Sequence, residues 1–202
     1  MTYTPEQISQ IVLKVLKEIE TPDVSKLSYD EKIKLAKDPN TSTETLNVLA
    51  TDKHPDVRCG VARNPNISQE TLEVLATDKN PDVRYGVARN PNTSQETLDV
   101  LVTDEDSVVR LLVARNPNIS KETLAVLATD KHPDVRYYVA LNPNTPEETL
   151  EVLATDKNPD VRCGVARHPN YKKQTLELNT KQYDALKKLI ESSQDESLKG
   201  IM

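Results

Sequence analysis

Residues 64–89 read NPNISQETLEVLATDKNPDVRYGVAR, and residues 142–167 read NPNTPEETLEVLATDKNPDVRCGVAR. The two segments agree at 22 of 26 positions although two further copies lie between them. An ungapped period of this length marks a solenoid, in which a unit cannot bury its apolar face alone and leans on its neighbours. Copies open at Asp38, Asn64, Asn90, Asn116 and Asn142. A half copy, Lys32 to Ala36, precedes them, and His168-Pro169-Asn170 opens a last unit that soon departs from the pattern. The expected architecture is an all-α solenoid of 26-residue repeats over residues 32–170. It is flanked by an N-terminal helical cap at 1–31 and by a C-terminal cap helix and tail at 171–202.

Within the copy that begins at Asn64, Leu72, Leu75 and Ala76 fall at i, i+3 and i+4, which is one face of a short helix over about Ser68 to Thr77. Thr-x-x-Glu in three copies, Thr41 with Glu44, Thr93 with Glu96 and Thr145 with Glu148, reads as a capping box. Pro146 then falls at the first helical position, where a missing N–H costs nothing. Copies with Ile67 or Ile119 lack the hydroxyl, so weaker helix starts are expected there. A second segment starts near Pro81, carries Val83, Val87 and Ala88 on one side, and stops at Asn90-Pro91. It is short enough to be α or 3-10. No strand pattern occurs. Ile8, Ile11, Val12, Val15, Leu16 and Ile19 give residues 5–20 an apolar stripe suited to capping the stack or to docking on a partner. Tyr183, Leu186, Leu189 and Ile190 do the same for the C-terminal cap.

The pattern Asn-Pro-x-x-x-x-Glu-Thr-Leu-x-Val-Leu-Ala-Thr-Asp, followed by Val-Arg-x-x-Val-Ala, resembles the leucine-rich repeat variant family over about residues 32–170. The resemblance implies a right-handed superhelix alternating α and 3-10 helices, akin to HEAT and armadillo arrays, and implies no reaction. Some members carry a cysteine cluster for an iron–sulfur centre ahead of the repeats. This chain has no cysteine before Cys59, so that feature is not carried over.

Composition narrows the functional classes. Without Phe or Trp, the core must be built from Leu, Val, Ile and Ala, and large aromatic pockets are not expected. Charged residues make up 29%, and no apolar run approaches the ~20 residues of a membrane span. No secretory signal is visible after Met1, which points to the cytoplasm. Cys59 and Cys163 share a column four repeats apart. At 8–10 Å per layer they are roughly 35 Å apart, so no internal disulfide is expected and free thiols fit the same compartment. A net charge of −6 argues against nonspecific nucleic-acid binding, although a local basic stripe is compatible with it.

Columns of the repeat carry the rest. Arg58, Arg84, Arg110, Arg136 and Arg162 form a complete column, as do Asp52, Asp78, Asp104, Asp130 and Asp156. The arginines can bind the layers together by bidentate pairing with those aspartates, or can form a ladder for phosphates. A residue identical in every copy most simply serves the stack. Arg63, Arg89, Arg115 and Arg167 form a second column, interrupted by Leu141. Cys59, Tyr85, Leu111, Tyr137 and Cys163 lie two residues past a core valine, roughly 200° around an α-helix, and are expected at the surface. The next column is Gly60, Gly86, Leu112, Tyr138 and Gly164, where glycine suggests close backbone approach. Tyr85, Leu111, Leu112, Tyr137, Tyr138 and Leu141 therefore form a candidate partner-binding patch, beside a third repeat in which Glu105-Asp106-Ser107-Val108 replaces Lys-x-Pro-Asp. The alternative is that these side chains pack between layers.

His54, His132 and His168 are scattered and read as turn or cap residues. No metal spacing, phosphate-cradling loop or nucleophile elbow occurs. The expected function is a noncatalytic, monomeric protein-interaction scaffold that binds a peptide or protein along one face, without cofactor, metal or membrane. The alternative is nucleic-acid backbone binding through Arg58, Arg84, Arg110, Arg136 and Arg162.

Overall fold

The repeat unit is a pair of short helices. A computed structural model describes residues 4–18, 22–169, 171 and 187–188, with the side chains of 11 and 13–18 excepted. The chain divides into a unit Met1–Pro169 and a unit Asn170–Met202. In the second unit only Tyr171, Lys187 and Lys188 are described, so the C-terminal cap lies outside the described residues. The first unit begins with α1 (Pro5–Glu18), a 3-10 turn (Val24–Lys26) and α2 (Tyr29–Lys37). Helix pairs follow: α3 (Thr43–Leu49) and α4 (Pro55–Ala62), α5 (Gln69–Leu75) and α6 (Pro81–Arg89), α7 (Gln95–Leu101) and α8 (Ser107–Arg115). The last two pairs are α9 (Lys121–Leu127) with α10 (Pro133–Leu141), and α11 (Glu147–Ala154) with α12 (Pro159–Arg167). Among the described residues there is no strand, and every second helix is α. The 3-10 geometry implied by the family resemblance is therefore absent from the repeats, because eight or nine residues with proline or serine at the first position complete two α-turns.

The first helices start one residue later than the capping box requires. Ser42, Ser68, Ser94 and Ser120 are the N-caps, each accepting from the N–H of the threonine three residues on at 3.1–3.3 Å. Thr41, Thr93 and Thr145 instead turn back and donate to Leu35, Val87 and Val139 carbonyls at 2.6–2.7 Å, tying each turn to the preceding helix. Pro146 stands at the N-cap itself, without a side-chain bond. The copies with Ile67 and Ile119 keep their serine caps and bury the isoleucine, so their starts are not weaker in kind. Leu72, Leu75, Ala76, Val83, Val87 and Ala88 are buried as the periodicity predicts. In α1, Ile8 and Val12 are 50% and 48% exposed, and the other four stripe side chains lie outside the described residues.

The layers meet most closely along the second helices, where α2, α4, α6, α8, α10 and α12 stack in order. Glycine explains the closeness: a Cβ on Gly60, Gly86 or Gly164 would stand 2.9, 2.7 or 3.1 Å from the Cβ of Ala36, Ala62 or Ala140 in the layer before. Alanine at Gly86 should cost about 1 kcal/mol, because overpacking against the rigid Ala62 methyl and the Cys59 carbonyl outweighs the usual helix gain of Gly→Ala. A urea midpoint above that of the parent would refute the close-contact role.

Two side-chain ladders lock successive layers. Each turn asparagine is buried and reaches the previous layer: Asn90 donates to the Ala62 and Asn64 carbonyls at 2.8 and 3.2 Å, and Asn116 to those of Ala88 and Asn90 at 2.9 and 3.0 Å. At the end of the series His168 replaces asparagine, and its Nε2 lies 2.9 Å from the Asn142 carbonyl. The second ladder is ionic. Arg58, Arg84, Arg110 and Arg136 each form a fork with the aspartate 20 residues on, Nε to Oδ2 at 2.6 Å and Nη2 to Oδ1 at 2.9–3.0 Å. Their Nη1 atoms donate to carbonyls of Asp52, Asp78, Asp104 and Asp130. Lys32 serves Asp52 at the start of the series.

Candidate functional site

The ionic ladder removes one expected site. Arg58, Arg84, Arg110 and Arg136 are 5–7% exposed and committed to carboxylates and carbonyls, so they offer no free guanidinium face to phosphate. Arg162, which has no following aspartate of the series, is exposed and donates to the Asp156 and Lys157 carbonyls. Burial is the largest influence on the carboxyls of Asp78 and Asp130 and raises them, but the arginine hydrogen bond, the backbone N–H of Asn80 or His132 and the arginine charge together outweigh it and leave both below the usual carboxylate range.

What remains for a partner is the outer side of the second helices. Positions i, i+3, i+4 and i+7 of one helix share a side, so in α4 Asp56, Cys59, Gly60 and Arg63 face together. They line one hollow of about 350 Å³ with Tyr29, Ile33 and Lys37 of the neighbouring α2. Repeated along the stack, this side carries three lanes. One edge is acidic, with Asp56, Asp82, Asp134 and Asp160 exposed in the first turn of their helices. The other is basic, with Lys37, Arg89, Arg115 and Arg167 exposed in the last turn and Arg63 exposed at the C-cap. The middle lane holds the two variable columns.

Both edges and the glycine column change together at mid-array. In α8, Val108 stands where the other layers have aspartate and is 44% exposed, with Leu111 and Leu112 one turn on. In α10, Tyr137 and Tyr138 fill the middle and Leu141 stands where the basic edge has arginine. Arg115 lies 5.0 Å over the Tyr138 ring, which meets Tyr137 edge-on at 5.3 Å between centroids. Arg115, Tyr138, Leu141, Asn142 and Pro143 line a hollow of about 240 Å³, smaller than the 310 Å³ of the glycine layer lined by Arg63, Gly86 and Arg89.

The predicted patch is thus brought together, with a correction to its exposure. Tyr85, Leu111, Leu112, Tyr137, Tyr138 and Leu141 are all partly buried, with Tyr85 and Tyr137 against the next layer and Tyr138 against Arg115 of the layer before. The Tyr85 hydroxyl donates to Asp106 at 2.6 Å, and burial with this bond pushes its ionisation up to about 12. Tyr85 is therefore anchored to the next layer, and the free apolar centre lies on α8 and α10. Val108 joins this centre although it lies outside the candidate patch, and its sequence signal is the gap it leaves in the aspartate column. Both cysteines are free, and burial raises the Cys59 thiol. His132 accepts from the Asp134 N–H as an N-cap, and His54 holds the same position without a side-chain bond.

Comparison with known proteins agrees with the helical repeat fold. The model of the Leucine Rich Repeat Variant domain matches residues 30–89 and 109–169, and that of the Leucine rich repeat variant matches 81–106. A solved structure described as a leucine-rich repeat variant with a novel repetitive protein structural motif is similar at 26% identity and a TM-score of 0.60. The similarity covers 90% of this chain and 68% of that one. No curated protein matches. Among the described residues no helix is long and apolar enough to cross a membrane.

Proposed function

We propose, from the premise that the chain belongs to the leucine-rich repeat variant family, that it is a noncatalytic scaffold that binds a polypeptide along its second helices. The observation that carries this reading is the coordinated departure of α8 and α10 from the repeat. Val108, Leu112, Tyr138 and Leu141 replace aspartate, glycine, glycine and arginine at one place on one side. Leu112 and Tyr138 forgo the close approach that glycine allows in other layers. Apolar and aromatic side chains in a seam, rimmed by charge, fit the anchor-and-rim pattern of protein interfaces.

Restoring the consensus provides the test. A variant carrying Val108→Asp, Leu112→Gly, Tyr138→Gly and Leu141→Arg uses only residues that already stack in other layers, so it should fold. Peptides enriched from a random display library on the parent protein should bind this variant at least about tenfold more weakly, a loss of about 1.4 kcal/mol. Equal binding to both proteins would remove the reading. A nucleic-acid reading draws on exposed Arg63, Arg89, Arg115 and Arg167 and predicts binding that falls steeply with salt. The aspartate edge on the same helices and the net charge of −6 oppose it.

A further inference from the structure

We infer that the partner is an amphipathic α-helix lying along the stack, with an acidic flank toward the arginine edge and a basic flank toward the aspartate edge. The inference rests on the polypeptide reading above and specifies its ligand. Asp82 and Arg89 are seven residues apart on one α-helix, as are Asp56 and the C-cap Arg63, a rise of about 10 Å. That is close to the 10–12 Å width of an α-helix with its side chains, and it exceeds the Debye length of about 8 Å at physiological salt. The lane therefore has room for one helix, and its two edges act on that helix separately.

Charge complementarity selects this occupant over others. A nucleic-acid strand filling the lane would bring phosphates over Asp82 and Asp160 as well as over Arg89 and Arg167 of the same helices. A uniformly acidic or uniformly basic segment would meet repulsion along one edge. Only a segment carrying opposite charges on its two flanks meets attraction along both. Its apolar stripe then falls on the middle lane, where Val108 and Leu141 each remove a charge from one edge and so widen the strip that Leu111 and Tyr138 form. Turning such a helix end for end exchanges its flanks, so the edges also fix the direction in which it lies.

The layer spacing supports the same occupant. Successive second helices meet through glycine and alanine, at roughly the 8–10 Å of packed helices. Two turns of an α-helix advance about 11 Å, so a bound helix presents a similar flank position to each layer in turn. Its charged flanks then serve as flanking charges do beside the apolar seam of a coiled coil, setting partner choice and orientation.

Three synthetic helical peptides with the same leucine stripe test this: one with glutamate on one flank and lysine on the other, one with glutamate on both, and one with lysine on both. Fluorescence anisotropy should show the mixed peptide binding the parent protein about tenfold tighter than either uniform one, the sum of several exposed charge pairs. In a variant carrying Arg63→Glu, Arg89→Glu and Arg115→Glu, all exposed side chains, the preference should pass to the lysine peptide. Circular dichroism confirms that this variant remains helical. Tightest binding of the lysine peptide to the parent protein would reflect net charge alone and would overturn the inference. Equal binding of all three peptides, lost in the consensus-restored variant, would overturn it while leaving the polypeptide reading intact. Binding of none would overturn both.

Discussion

Replacing Arg110 with alanine is expected to lower the free energy of unfolding by about 3 kcal/mol, whereas the same change at Arg162 should shift it by about 0.5 kcal/mol or less. Arg110 joins three segments: its fork grips Asp130 of the next layer, and Nη1 donates to the Asp104 carbonyl at 2.7 Å. Removing it strands a carboxylate whose side chain is only 8% exposed. The penalty is mainly that of an unpaired buried charge, which is why breaking such a pair costs more than the pair itself contributes. Among the described residues Arg162 pairs with no carboxylate. Equilibrium denaturation of the two variants measures the contrast, and equal losses would contradict the ladder. The same pairs set the acid response. Asp130 titrates lower in the folded protein than in the unfolded chain, so its stabilisation is full above about pH 4 and is lost as pH falls through the lowered folded value. The Arg110→Ala variant should show a shallower loss over that range.

Asn90→Ala is expected to cost about 2 kcal/mol, the second-largest effect, although the residue carries no charge. Its amide donates to two carbonyls of the preceding layer, and its Oδ1 accepts the Asn92 N–H at 2.9 Å, closing the turn. Truncation leaves all three backbone groups without this partner where the side chain is 2% exposed. Asn90→Asp should be at least as damaging, because the acceptor survives while a carboxylate faces two carbonyl oxygens. Thermal melts of both variants give the comparison. An Asn90→Asp variant as stable as the parent would show that the donated bonds contribute little. His168 bears on the same requirement, since in the last layer an imidazole nitrogen occupies the amide's place beside the Asn142 carbonyl.

The period, the helix pairs and their buried faces could be read from the chain because repetition reveals which positions are equivalent, and leucine and valine at helical spacing reveal which of them face inward. Repetition does not reveal what an equivalent position touches. Thr41 and Ser42 are adjacent hydroxyls and either could cap, but the burial of Thr41 against the preceding helix leaves Ser42 at the helix start. The turn asparagines read as local punctuation, yet their amides cross between layers, a link that has no signature in a single repeat. The two arginine columns look alike in sequence, five residues apart. One, from Arg58 to Arg136, points at the next aspartate and is buried; the other ends its helix on the outside. The patch was legible as broken columns, whereas its exposure was not, because the 200° offset places a side chain relative to its own helix and ignores the next layer.

Hydrogen exchange of the protein with and without a display-selected peptide tests the central claim most directly. Slowed exchange concentrated in α8 and α10 and tapering along the other second helices is the predicted result. Protection centred instead on the first helices, where Val74 and Val100 are exposed away from the charged lanes, would contradict it.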